Sequence, residues 1–143
     1  MRADQQTTSE VLDTLSRFSD AFSKRDMGGL MSTLAPEPDV TFIGTGADEE
    51  RAGTSEIQAQ IQRDWDQSES ASIELGQLAV SSHGPVAWVA GGVALRATAG
   101  GKDISLPGRL TAVMEKRDGH WLIAQWHLSV PMSEQEQGRS FPS

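Results

Sequence analysis

Residues 116–131, KRDGHWLIAQWHLSVP, hold two of the chain's three His and two of its four Trp. An imidazole packed between aromatic rings could move protons near neutral pH, where histidine ordinarily titrates. His127, paired with Arg109, could transfer protons or bind a carboxylate. The plainer reading of that pair is structural, at a junction between sheets or subunits. Asp64, beside Trp65 at the end of a helical stretch, is a further candidate acid, against the ordinary fate of a solvated or Arg-paired carboxylate. Glu49 and Glu50, in GTGADEERAG, could stand at a pocket entrance or simply in a solvated loop. That loop lacks phosphate-loop spacing, and its acids would repel phosphate. His83, His120 and His127 do not share metal-ligand spacing, so no metal site is expected. No cofactor motif appears either.

These side chains must be placed by regular elements. Residues 7–24 read as a helix, with Thr7 and Glu10 as a capping box. Val11, Leu12, Leu15, Phe18 and Phe22 form its apolar stripe. A short helix restarts at Asp26 and stops at Pro36 and Pro38. VTFIG, 40–44, reads as a strand and TGADEERAG as a loop. Thr54 or Ser55 caps a third helix, with Ile57, Ile61 and Trp65 on one face. Four strand-like runs follow, separated by SSHGP, AGG and RDG. Helices early and strands late argue for an α+β domain, with helices on one face of an antiparallel sheet. One domain spans 1–143, with its ordered core at about 8–131 and a polar tail at 132–143.

The last hairpin decides which side chains meet. A three-residue loop, with Arg117 and Asp118 in a type I turn and Gly119 left-handed, sets Arg109 opposite His127. Alternation then puts Leu110, Ala112, Met114, Leu122, Ala124, Trp126 and Leu128 on one wholly apolar face. Arg109, Thr111, Val113, Trp121, Ile123, Gln125, His127 and Ser129 share the other. The apolar face is expected under the helices and the mixed face against a second sheet.

Composition removes several functions. The formal net charge is −8, with 12 Lys and Arg scattered among 20 Asp and Glu. Nucleic acid and anionic membrane surfaces are therefore not expected partners. There is no Cys, so thiolate and disulfide chemistry are out. No apolar run approaches the roughly 20 residues that span a bilayer, and MRADQQTTSE lacks a signal-peptide core. A cytoplasmic location is the expectation.

Several stretches, in their order, resemble the SnoaL-like branch of the nuclear transport factor 2-like superfamily. They are SKRDMGGLMSTLAPEPDVTFIGTGADE, AGTSEIQAQIQRDW and GRLTAVMEKRDGHWLIAQWHLSVP. The DG-x-W-x-I turn followed by H-x-S is also similar to the association domain of calmodulin-dependent kinase II. The resemblance implies a cone-shaped α+β barrel, with three N-terminal helices packed on a strongly bent, mainly antiparallel sheet. It implies a pocket on the concave side and a homodimer through the convex face. Phe18, Phe22, Phe42, Trp65, Leu110, Ala112, Trp126 and Leu128 would line that pocket, leaving Arg109, Gln125 and His127 on the convex face. The ketosteroid isomerases of the superfamily use an Asp base on an early strand and an acid plus Tyr as oxyanion hole. This chain has no Tyr, no acid around Phe42 to Gly44, and an apolar residue at Ala112, so that chemistry is not expected.

Three functions follow. One is a pocket for a small hydrophobic molecule, its chemistry unidentified. Another is a SnoaL-type isomerase, cyclase or hydrolase acting on a polyketide-like or steroid-like substrate. The third is a non-catalytic assembly module. A buried acid of raised pKa facing the pocket would favour the enzyme; a filled cone would favour assembly.

Overall fold

The stripe of Val11, Leu15, Phe18 and Phe22 is what helix α1 (Gln5–Lys24) buries. In the computed structural model, which describes residues 1–143, α1 starts before Thr7. Asp4 caps it, accepting from the Thr7 N–H at 2.8 Å. The expected Thr7–Glu10 capping box is therefore displaced, and Glu10 instead accepts from the Trp121 indole N–H at 3.2 Å. At the other end Arg25 adopts the left-handed conformation, φ 56°. Its guanidinium donates to the carbonyls of Trp65 and Ser68, both at 2.8 Å. That tie fixes the end of α1 against the end of a third helix.

Helix α2 (Met27–Met31), capped by Asp26, leads to strand β1 (Thr41–Ile43) and strand β2 (Glu50–Ala52). Glu50–Ala52, read from sequence as loop, pairs antiparallel with β1. Three residues, set between Glu49 and Gly53, carry too little alternation to announce a strand. Helix α3 (Thr54–Asp66) begins after Gly53, φ 84°, with no side-chain cap, so neither Thr54 nor Ser55 serves as one. Ile57, Ile61 and Trp65 are its buried stripe.

Strands β3 (Ser70–His83), β4 (Val86–Ala99), β5 (Lys102–Arg117) and β6 (His120–Ser129) complete the sheet. Its order is β2-β1-β6-β5-β4-β3, antiparallel except where β1 runs parallel to β6. The architecture is three helices on a curled, mostly antiparallel six-stranded sheet. The curl has local causes. A bulge interrupts β3 between Leu75 and Leu78, and a second lies where β5 meets β6; bulges bend and twist the strands that carry them. At the first bulge a Cβ on Gly76 would sit 2.7 Å from the Gly92 carbonyl oxygen, so only glycine lets the two backbones approach there.

The β5–β6 turn departs from expectation. Asp118 and Gly119 both have positive φ, 50° and 80°. This is a two-residue type I′ turn, whose twist matches the flanking strands. Met114 therefore faces Ile123 and Lys116 faces Trp121. The bulge then inserts Ala124, and from there Val113 faces Gln125 and Thr111 faces His127. The inward face switches parity at Ala124. Trp121 and Ile123, expected on the convex side, are buried with Trp126 and Leu128. Leu122, expected inward, is only half-buried and faces Glu115.

The core lies between α1, α3 and the concave face. Two of its buried polar side chains are answered by backbone carbonyls: Thr14 Oγ1 donates to that of Trp121 at 2.9 Å, and the Trp65 indole to that of Phe22 at 3.0 Å, while the buried Ser19 hydroxyl has no partner. Met1 and Ala3 hydrogen-bond along the outer edge of β3, covering part of an edge that would otherwise present unpaired backbone groups. Residues 132–143 form no helix or strand. No helix is long and apolar enough to cross a membrane.

Candidate functional site

Curling the sheet over α1 and α3 leaves a cavity of about 320 Å³, open at one side. Its floor is aromatic. Phe42 and Trp126 are neighbours across the parallel β1–β6 pair, and their rings stack at 5.4 Å with 6° between planes. Phe18 tilts against both, 4.6 Å from Trp126 and 5.7 Å from Phe42. Phe22, Ile61 and Leu128 extend the floor. The outer wall comes from the far halves of β3, β4 and β5 and is aliphatic: Ile73, Leu95, Ala97, Ile104 and Leu106. Ile104 and Leu106 are each 43% exposed, which is unusual for side chains on a concave face and leaves apolar surface at the mouth.

The opposite wall is polar and comes from α3 and the β1–β2 region. Glu49, Arg51, Gln60, Asp64, Gln67 and Ser68 line it. Gln60 and Asp64 are one turn apart on α3, flanking the buried stripe of Ile57, Ile61 and Trp65. The Gln60 amide donates to Asp64 Oδ1 at 2.9 Å and to Glu49 Oε1 at 3.2 Å, while its carbonyl accepts from Arg51 Nε at 3.1 Å. Glu49 Oε2 accepts from the Gly46 N–H at 2.7 Å, and Oε1 from Arg63 at 3.4 Å. Arg63 also grips the exposed Asp48 at 2.8 Å, a contact that holds the Asp48 carboxyl below its ordinary value and raises the Arg63 guanidinium.

Asp64 is the perturbed acid of this wall. Burial pushes its carboxyl above the ordinary aspartate value; the Gln60 hydrogen bond opposes that, the negative Glu49 adds to it, and Arg63 opposes it. A carboxyl held toward its neutral form, beside an apolar cavity, can donate a proton to a bound oxygen. No group of three or more acidic or His side chains is arranged to hold a metal ion.

The residues expected from sequence separate into three sets. Phe18, Phe22, Phe42, Trp126 and Leu128 line the cavity, as does Asp64. Trp65, Leu110 and Ala112 lie in the core outside it. Trp65 is held there by its bond to the Phe22 carbonyl, and Ala112 sits opposite Trp126 on the neighbouring strand. His127 and Arg109 are exposed and line no part of the cavity. Nor do they face each other: the I′ turn and the Ala124 bulge together move the register, so Arg109 faces Ser129, donating to its hydroxyl at 3.2 Å, and His127 faces Thr111. Both remain on strand positions that alternate away from the helices. Gln60 and Arg51 were missed. Gln60 falls at i+3 from Ile57, on the margin of the helix's apolar stripe, and that placement was the available signal.

Comparisons with known proteins agree with this architecture. The family model described as the SnoaL-like domain matches residues 11–133. Among curated proteins none matches the chain significantly. Among solved structures, a proposed dehydratase of the NTF2-like family from Streptomyces avermitilis superposes with a TM-score of 0.83 at 16% identity, covering 91% of this chain and 100% of that one. An NTF2-like superfamily protein from Salmonella enterica gives 0.83 at 20% identity, covering 97% and 100%. A proposed calcium/calmodulin-dependent protein kinase II association domain from Xanthomonas campestris gives 0.75 at 23% identity, covering 92% and 90%. At these identities the likeness is one of fold.

Proposed function

Because the chain belongs to the SnoaL-like domain family, we propose that its cone binds a small, largely apolar ring-shaped molecule and transfers protons on it at Asp64. The observation that carries this reading is one acid, desolvated and raised, on the polar wall of an otherwise apolar cavity. A volume of about 320 Å³ lies at the lower end for ligand pockets. The stacked Phe42 and Trp126 offer a flat apolar surface, and Ile104 and Leu106 would lose water to a ligand at the mouth.

Loss of water from a β-hydroxy carbonyl compound suits this wall best, and the dehydratase description of the Streptomyces avermitilis neighbour points the same way. The Glu49 carboxylate takes the proton from the carbon beside the carbonyl. That electron pair forms the carbon–carbon double bond as the carbon–oxygen bond breaks, and the departing hydroxyl takes the Asp64 proton to leave as water. The two carboxyls end with exchanged protonation, which solvent at the open mouth restores. No Tyr is required.

The test uses two probes. Nile red reports the apolar cavity, and 4-hydroxy-4-phenylbutan-2-one reports elimination, since its product is a conjugated enone followed by absorbance. Asp64→Asn keeps the acceptor for Gln60 but cannot donate an acid proton. It should lower turnover about 10²-fold or more and leave Nile red affinity within about threefold. Full turnover in Asp64→Asn would sink the assignment.

The convex face favours a second property, a homodimer. Trp88 is 42% exposed there beside Val113, and Val86 is 37% exposed. Trp121, expected on this face, is buried, so Trp88 is the aromatic group that a second copy would cover. Trp88→Glu should turn a dimer into a monomer by light scattering at micromolar concentration. A wild-type chain that is already monomeric there would refute the assignment.

A further inference from the structure

Asp64 and Glu49 come from different elements, α3 and the end of the β1–β2 connection, yet they meet at one group. The two oxygens bonded to the Gln60 amide nitrogen, at 2.9 and 3.2 Å, are thereby kept within about 6 Å of each other. The orientation of that amide is not free. A guanidinium donates and never accepts, so Arg51 Nε must meet the amide oxygen, at 3.1 Å. The NH₂ group is then turned toward the two carboxyls, with one N–H for each. Rotating the amide would set its oxygen against two carboxylates and its NH₂ against a cation.

We infer that Gln60 is the positioning residue of this wall: its side-chain amide, locked by Arg51, holds Glu49 and Asp64 side by side as base and acid toward one bound molecule. The inference rests on the proton-transfer reading above and extends it to a residue that itself moves no proton.

The surrounding charges leave the task to Gln60. Arg63, on α3, is occupied by Asp48 and Glu49. Arg51, on β2, reaches Asp48 only at 3.9 Å. Arg96, across the cavity on β4, is paired with Glu74 at 3.0 Å. From α1 only Phe18 and Phe22 face the cavity. No cation is bonded to Asp64, and Gln60 is its one side-chain hydrogen-bond donor.

Two variants separate positioning from packing. Gln60→Glu is nearly isosteric and keeps an acceptor for Arg51, but supplies no donor to either carboxyl. Gln60→Leu removes both functions. Asp64 is followed by carbon-13 NMR titration, turnover of 4-hydroxy-4-phenylbutan-2-one by its pH–rate profile, and the cavity by Nile red affinity. In Gln60→Leu the Asp64 midpoint should move further up, because the donor that favours its charged form is gone; in Gln60→Glu it should move up by more, because the new carboxylate also repels it. Turnover at neutral pH should fall about tenfold or more, with a displaced profile and Nile red affinity within about threefold. Arg51→Leu, which frees the amide to rotate, should move the profile in the same direction by less. An unmoved Asp64 midpoint, or an unchanged pH–rate profile, overturns the inference. If wild-type protein binds Nile red but turns over no hydroxy ketone, the proton-transfer reading falls, and the Asp64 titration still decides whether Gln60 holds the acid.

Discussion

The β5–β6 hairpin and helix α3 build opposite sides of the same cavity, and they present their chemistry in opposite ways. The hairpin carries the residues that draw notice in a sequence, yet it contributes an apolar floor. Its one prominent imidazole, His127, sits on the outer surface. Helix α3 reads as an ordinary amphipathic segment, yet it carries the raised acid and the amide that binds it. What separates them is surroundings. Strand alternation sends polar hairpin residues outward into water, whereas Gln60 and Asp64 flank a stripe that faces the core. A polar side chain at the margin of a buried stripe loses water without losing its reach into a cleft, and desolvation there shifts its titration.

The sharpest way to break this comparison is to take away the hairpin's parity switch. Deleting Ala124 removes the bulge residue, so either Trp121 and Ile123 or Trp126 and Leu128 must turn to solvent. All four are buried, at 8% exposure or less. The deletion should abolish cooperative unfolding by calorimetry; a native-like transition would show that the bulge does not set the faces. Next in size is Trp126→Ala, which strips a ring that stacks on Phe42 and touches Phe18. It should cost about 3–5 kcal/mol in denaturant titration and weaken Nile red binding by tenfold or more. A smaller loss in stability with full probe affinity would mean that the cavity floor lies elsewhere.

The same switch explains how much could be read without coordinates. The helix stripes, with Phe18 and Phe22, and the four long strands follow from periodicity, because burial there is a property of each element alone; Phe42 is placed through the family resemblance, and Trp126 by alternation along the last strand. The pairing of Arg109 with His127 does not follow. It depends on a turn in which Asp118 takes positive φ and on a bulge that is defined only against the partner strand. Asp64 was visible as a polar residue next to Trp65, but its raised carboxyl results from burial in the folded chain and from the Glu49 carboxylate that the fold brings beside it. Gln60 was silent for the same reason: its three partners lie on two other segments and one helical turn away.

The smallest effects sharpen the comparison most, because they set the two candidate groups against each other. Asp64 has a raised carboxyl, so the folded chain holds its proton more tightly than the unfolded chain does. The associated stability is fully present below the unfolded aspartate value and is lost as pH rises through the raised folded value. Above that value the wild type carries a charged, partly desolvated Asp64 that Asp64→Asn avoids. The variant should therefore be slightly more stable than wild type at pH above that raised value, by less than about 1 kcal/mol after solvent screening, and the advantage should vanish as pH falls below the ordinary aspartate value. Thermal unfolding across that range reads the difference. His127→Ala, an exposed change on the outer face, should stay within about 0.5 kcal/mol of wild type at neutral pH and leave hydroxy ketone turnover unaltered. A His127→Ala variant that lost turnover while Asp64→Asn kept it would reverse the assignment of chemistry from α3 back to the hairpin.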